Sequence, residues 1–435
     1  MKSSVVRIVL ILLILGKTAE GQQIINRSDR LKLNDVIEKA LSNHPKLVQA
    51  QIEIDTAEAR ITKARSWFFP QVDLGGIAKQ GLSGAGNALG IKGVAASPFP
   101  DDAAISANAS QVLFDFGRIK HGTAARRYEL TYLKESIGAK RAEIILKSIQ
   151  AFFQVLQGQE LKRVRKKTLE EKKLILKQSE VFYRAQLKSR LDVRLAETNL
   201  SKAQLALDHS SYQVKQTIAK LENAMGLASF SSDYVLEEPE IEVVSPASLK
   251  ELLAEALEHR AELKAIRARI KAQEHWLRKA KSEKYPQLKA AFSGGWARFA
   301  DLSLSNLLFG GFGIQLPIFM GNRIKANIEE TKLGLEKTKA ISTLLANDVQ
   351  LKVKQTYNDL LASRESVAVN QMVTVQVQKA MSLARVRYQL DLADFVELTT
   401  AENSLAIAQS DHSQSLYKYK IKESELKYEI GHLNN

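Results

Sequence analysis

Cysteine is absent from the 435 residues. That excludes disulfide scaffolds, thiolate-bound zinc, iron–sulfur clusters and cysteine nucleophiles. It also sets the expectation of an N-terminus without a lipid anchor, since such an anchor needs an acceptor cysteine. Proline is scarce, with eight in all and none in 101–238 or 318–435. The seven histidines form no HExxH or paired spacing, so no metal site is expected. GxSxG, a P-loop and GxGxxG are missing, and GAGNALG (84–90) is a near miss that reads as a flexible loop. No enzyme and no cofactor are expected. Beyond the N-terminus no apolar run approaches the length of a membrane-spanning helix.

What is present starts with charge. There are 63 Lys and Arg against 48 Asp and Glu, a net +15, with 45% hydrophobic residues. The surplus is uneven: 118–190 holds 19 basic and 7 acidic residues, densest at Lys162–Lys167 (KRVRKK). A solvated face is one reading of that run, and adaptor docking is another. Positive charge alone permits nucleic acid or anionic membrane as a partner. Residues 1–21 read as a secretory signal: Lys2 and Arg7, an apolar run from Ile8 to Leu15, then small residues at Ala19 and Gly21. Export removes most of the nucleic-acid reading.

The chain is written twice. Leu33–Gln71 aligns without gaps on Leu249–Gln287, an offset of 216, with Pro70-Gln71 on Pro286-Gln287. Further on the offset is 205. Arg118-Ile119-Lys120 meets Arg323-Ile324-Lys325, Tyr183 meets Tyr388, Ala196-Glu197 meets Ala401-Glu402, and Gly226 meets Gly431. The 11-residue difference belongs in an exposed loop between the two blocks. The expected organisation is a signal (1–21), a first repeat (22–226), an acidic linker (227–248) and a second repeat (249–435).

Each half reads as helix, Gly-rich β segment, then long helices. The first helix is expected over 33–66, capped by Asn34 or Asp35 and stopped by Pro70. Arg118–Arg184 reads as one helix, ~100 Å long at 1.5 Å per residue. Its apolar residues Ile145, Ile149, Phe152, Phe153 and Leu156 keep helical spacing. A break is expected near 185–191, opposite Leu390-Asp391-Leu392. From Val193 the pattern is heptad, pairing large residues with Ala196, Ala203, Ser210 and Thr217, which lets helices approach closely. The second heptad weakens at His412, Tyr419 and Lys422. The Gly-rich segments alternate. Leu288, Ala290, Phe292, Gly294 and Trp296 share one face, and so do Phe312, Ile314, Leu316 and Ile318. Such alternation is the weak signature of an outer-membrane strand, with a soluble hairpin packed on the helices as the plainer alternative. Each half supplies two strands, joined by polar loops at 80–103 and 298–306.

Four strands cannot close a membrane barrel, whose minimum is about eight. An open edge in lipid leaves backbone N–H and C=O groups unpaired, which costs several kcal/mol each. Strands that span a membrane therefore require several chains, and three chains give twelve.

At this point the sequence resembles the TolC-like outer-membrane efflux proteins, over essentially all of the mature chain. The resemblance rests on the duplication, on LNDVIEKALSNHPKLVQAQ and LKELLAEALEHRAELKAI, on ARSWFFPQVDL and AKSEKYPQLKA, and on VLFDFGRIK and LPIFMGNRIK. It implies a mainly α protomer with a small β part: a homotrimer with a 12-stranded outer-membrane β-barrel continued by a long periplasmic α-helical coiled-coil barrel. It implies an exit duct for an inner-membrane pump, docked through a periplasmic adaptor, in the non-acylated branch. The alternative is a periplasmic or surface coiled-coil protein without transport activity.

The resemblance also places the working residues. Family members close their periplasmic tip at turns that here fall at 185–193 and 391–398. Asp192 and Tyr388 match an aspartate–tyrosine link across them. A second, arginine-based link is replaced by Ala393 and Leu191. Glu397 matches one acidic ring, and Thr400 stands where a second would be. Three Glu397 carboxylates about 6 Å apart would attract cations at ~1–3 kcal/mol per charge pair. Plainer roles stand beside these: a helix cap for Asp192, interface packing for Tyr388, an ordinary exposed carboxylate for Glu397.

Overall fold

The computed structural model describes residues 30–79, 102–227, 234–298, 305–390 and 392–433. The signal segment, most of the 80–103 loop and the loop at 299–304 lie outside them. The elements in chain order are α1 (Leu33–Asn43), α2 (Pro45–Ser66), β1 (Gln71–Lys79), β2 (Asp102–Phe114), α3 (Arg118–Arg184) and α4 (Arg190–Ala224). The second half gives α5 (Leu249–His259), α6 (Ala261–Ser282), β3 (Gln287–Arg298), β4 (Ser305–Gln315), α7 (Arg323–Gln389) and α8 (Phe395–Glu429). The helices of the two halves have identical lengths: 11, 22, 67 and 35 residues. None of the described helices is long and apolar enough to cross a membrane.

The helix expected over 33–66 is two. His44 leaves the helix at ψ 120°. Pro45 forces this, because its ring excludes the helical region for the residue before it. Arg260 bends the second copy at ψ 121° with no proline present. In both copies a glycine lies against the bend. Gly226 has φ +72°, and a Cβ there would stand 2.8 Å from His44 Cα. Gly431 has φ +84°, and a Cβ there would stand 3.0 Å from Arg260 N. The start of α1 is capped by Asp35, whose carboxylate accepts from the Lys32 N–H at 3.0 Å; Lys32 is the N-cap residue.

The described chain packs as two compact units, each drawing on both halves. One holds residues 45–143, 246–357 and those from Leu426 on. Its sheet runs β1-β2-β3-β4, all antiparallel, with β1 and β4 as edges. Residues directly opposite share a face. Val72, Ala109 and Phe292 form one such row, Leu74, Ala107, Gly294 and Leu308 the next, and Ile105 and Trp296 a third. This face is apolar and bare: Leu74 is 84% exposed, Phe312 80% and Ile314 75%. On the other face Asn108 Nδ2 donates to Asp73 at 3.1 Å and Ser293 Oγ donates to Asn108 at 2.6 Å. Gly295 is obligatory, since a Cβ would fall 2.1 Å from the Ile105 carbonyl oxygen. β4 ends at Gln315, so Leu316 and Ile318 lie beyond the strand.

The other unit holds α1 with residues 144–245 and 358–425. Ile145, Ile149, Phe152, Phe153 and Leu156 of α3 are all buried, as their spacing requires. The small seam residues Ala196, Ala203, Ser210 and Thr217 of α4 are buried too. Tyr419, where the second heptad weakens, is 1% exposed. Its hydroxyl bonds both the N–H and the C=O of Val244, so this seam position seats the inter-repeat linker. Tyr417 donates to Glu238 at 2.7 Å, and Leu31 pairs in parallel with Leu236.

Candidate functional site

The two interhelical turns fold alike because their sequences are copies. In the first, Leu187 N–H donates to Phe182 C=O at 2.9 Å, and in the second Leu392 N–H donates to Arg387 C=O at 2.9 Å. These four residues are related by the 205-residue offset. Gln186 takes φ +59° to turn the first chain. In each following helix the third residue's N–H then donates to the side chain of the residue just before the helix. Ser189 and Asp192 form a reciprocal capping box on α4, at 3.2 Å each way. On α8, Glu397 N–H donates to Asp394 at 2.7 Å.

The copies then diverge. Arg387, which replaces Phe182, donates from Nε to Glu397 at 2.9 Å and from Nη2 to the Leu392 carbonyl at 3.1 Å. Tyr388 is 3% exposed, while its counterpart Tyr183 is 43% exposed. Tyr388 sits in an apolar cluster with Ile175, Ala196, Met381, Ala393, Phe395 and Leu398. Phe182 and Phe395 meet its ring edge-on at 6.3 and 6.4 Å. Lys188 Nζ lies 5.2 Å from the ring centroid, within cation–π range.

Close by in sequence is a buried ion pair. Lys172 of α3 donates to Glu402 of α8 at 2.7 Å, with side chains 6% and 3% exposed. Burial pushes the Glu402 carboxyl above the ordinary glutamate range, against the opposing pull of Lys172. In the first copy the equivalent Glu197 is half-exposed and pairs with Arg194.

What the arrangement offers is an apolar-cored pair of turns, the second carrying the exposed Arg387–Glu397 ion pair. With the sheet, the turns and the duplication described, the family model for outer membrane efflux proteins matches residues 36–227 and 252–432. The chain belongs to the outer membrane efflux protein family. Family members among its relatives include the outer membrane protein TolC of Salmonella enteritidis, 22% identical across 97% of this chain and 86% of that protein. The outer membrane efflux protein BepC of Brucella suis is 20% identical across 94% and 87%. The crystal structure of VceC from Vibrio cholerae superposes with a TM-score of 0.77, covering 92% of this chain and 96% of that one at 19% identity. As a member of this family it is an outer-membrane protein.

Of the three residues expected at the tip, Asp192 belongs to the first turn and Tyr388 and Glu397 to the second. Asp192 has its carboxylate on the Ser189 N–H, in the role of a cap. Tyr388 is a core residue. Glu397 holds Arg387. Sequence reasoning missed Arg387 and the Lys172–Glu402 pair. The repeat carried a signal for the first: Arg387 is the charged residue where the first copy has Phe182.

Proposed function

We propose that the chain is the exit duct of a tripartite efflux or secretion assembly. Three copies would enclose the channel, and a periplasmic adaptor would join it to an inner-membrane pump. The sheet carries this reading: one face is bare and apolar, the other bears Asp73, Asn108 and Ser293, and among the described residues neither edge strand has a further partner. A second and third copy supply the missing edge partners, and the polar face then lines a lumen. Asp192, Tyr388 and Glu397 act in this reading at the periplasmic constriction. Asp192 fixes the first turn, Tyr388 clamps the second, and Glu397 supplies charge that Arg387 balances.

Purified protein in a planar bilayer should give stepwise currents, and none would end the proposal. Glu397→Gln should lower cation preference, while Arg387→Gln, which unmasks Glu397, should raise it by a similar factor. An ion preference untouched by both removes Glu397 from the constriction. Tyr388→Ala, which empties the clamp, should raise the open fraction.

A further inference from the structure

We propose that the strand–helix junctions form a basic, aromatic collar that binds the anionic headgroups of phospholipids in the periplasmic leaflet. The inference rests on the outer-membrane location and not on conduction.

The charge surplus is the starting observation. The junction segments 60–69, 115–121, 278–285 and 318–325 total 33 residues, with eleven Lys and Arg against two carboxylates. More than half of the chain's net +15 therefore sits on them. Arg60, Lys63 and Arg65 end α2 exposed, and Arg323 and Lys325 begin α7 exposed. Lys120, Arg278, Lys281 and Lys284 are exposed as well. The two carboxylates are already engaged. Asp115 accepts from the N–H groups of Gly117 and Ile119 at 3.0 and 2.7 Å, and Glu283 accepts from Asn327 at 2.9 Å.

Aromatic side chains share these segments. Trp67, Phe68, Phe69, Phe116, Tyr285 and Phe319 are each 42–80% exposed. Aromatic residues at the ends of membrane strands, next to basic ones, sit at headgroup level. The collar is continuous in sequence with the bare apolar face of the sheet. It also contains a recess. A cavity of about 650 Å³ is lined by Arg118, Arg323, Gln287, Gln315, Glu283 and Glu330, among others. Arg118 Nε is buried there without a hydrogen-bond partner among the described residues. His121 nearby is held below the ordinary histidine pKa chiefly by burial and then by His275, Arg278 and Lys120, with Asp115 opposing. A second copy of the chain is the poorer occupant, because it brings the same sign of charge. An anionic leaflet attracts such clusters, and salt screens the attraction.

The test offers the purified full-length protein mixed micelles of phosphatidylglycerol and phosphatidylcholine, and counts retained lipid by native mass spectrometry. Phosphatidylglycerol should be enriched about tenfold at low salt and lose most of that enrichment at about 0.5 M NaCl. Joint Arg65→Gln, Lys120→Gln, Lys281→Gln and Lys284→Gln should abolish the enrichment. Lys120→Arg with Lys281→Arg should keep it. Joint Lys162→Gln, Lys166→Gln, Lys167→Gln and Lys173→Gln removes equal charge elsewhere and should also keep it. The proposal falls if the collar variant retains its lipid, if the distant variant loses as much, or if salt has no effect. It falls too if the collar variant changes only the cation-to-anion ratio of the current, which would place these residues in the duct. Should the collar variant not fold, the salt series on the unaltered protein decides alone. A protein that retains phosphatidylglycerol without conducting would refute the duct and leave the collar standing.

Discussion

At the residue scale, the Lys172–Glu402 pair makes the sharpest prediction. Breaking a buried pair strands a charge, so Lys172→Met should cost about 3–5 kcal/mol. Replacing both, as Lys172→Met with Glu402→Leu, should be neutral or stabilising by about 1–4 kcal/mol. Denaturant unfolding of the detergent-solubilised protein measures both. The sign of the pH effect follows from burial. Glu402 binds its proton more readily folded than unfolded, so its contribution grows as pH falls from neutral towards the ordinary 4.5 and is lost as pH rises through the folded value. The double variant should lose that dependence. None of this was legible from sequence. Glu402 aligns with Glu197, and the alignment gives no sign that one is buried and the other half-exposed. Burial is decided by which helix lies opposite, and that is tertiary information.

At the element scale, sequence reasoning went furthest where period and punctuation agree. The 67-residue span of α3 was readable because no proline interrupts it and its apolar residues keep helical spacing. The turn after it was readable from its copy. The break at His44 was missed although Pro45 marks it, because the apolar spacing continues through it. Arg260 carries no such mark at all. Gly226 and Gly431, visible only as matched glycines, turn out to let the ends of α4 and α8 close on those bends. Gly431→Ala would add a Cβ 2.9 Å from the His259 carbonyl carbon in a left-handed conformation. It should lower stability by about 1–3 kcal/mol, with Gly226→Ala similar. Equal melting temperatures for the variants and the parent would show that the bends yield freely.

At the scale of the whole molecule, the decisive fact is a sheet whose two edge strands find no further strand among the described residues and whose one face is apolar and bare. Native mass spectrometry in detergent should find three times the 48.4 kDa of the chain, less any cleaved leader. A stable monomer in plain buffer would contradict the requirement that edges be paired in lipid. The need for partners was derivable from strand count, whereas the sidedness of the sheet needed the register. The two bends also differ in what secures them. Proline imposes the first covalently, through its ring. The second depends on Arg260, which bonds Glu429 at 2.7 Å, Glu262 at 2.9 Å and the Tyr428 carbonyl at 2.9 Å. Burial already raises the Glu429 pKa. Each subunit thus owns one hinge pin of carbon and one of charge, and the latter takes up a proton more readily than a free glutamate would.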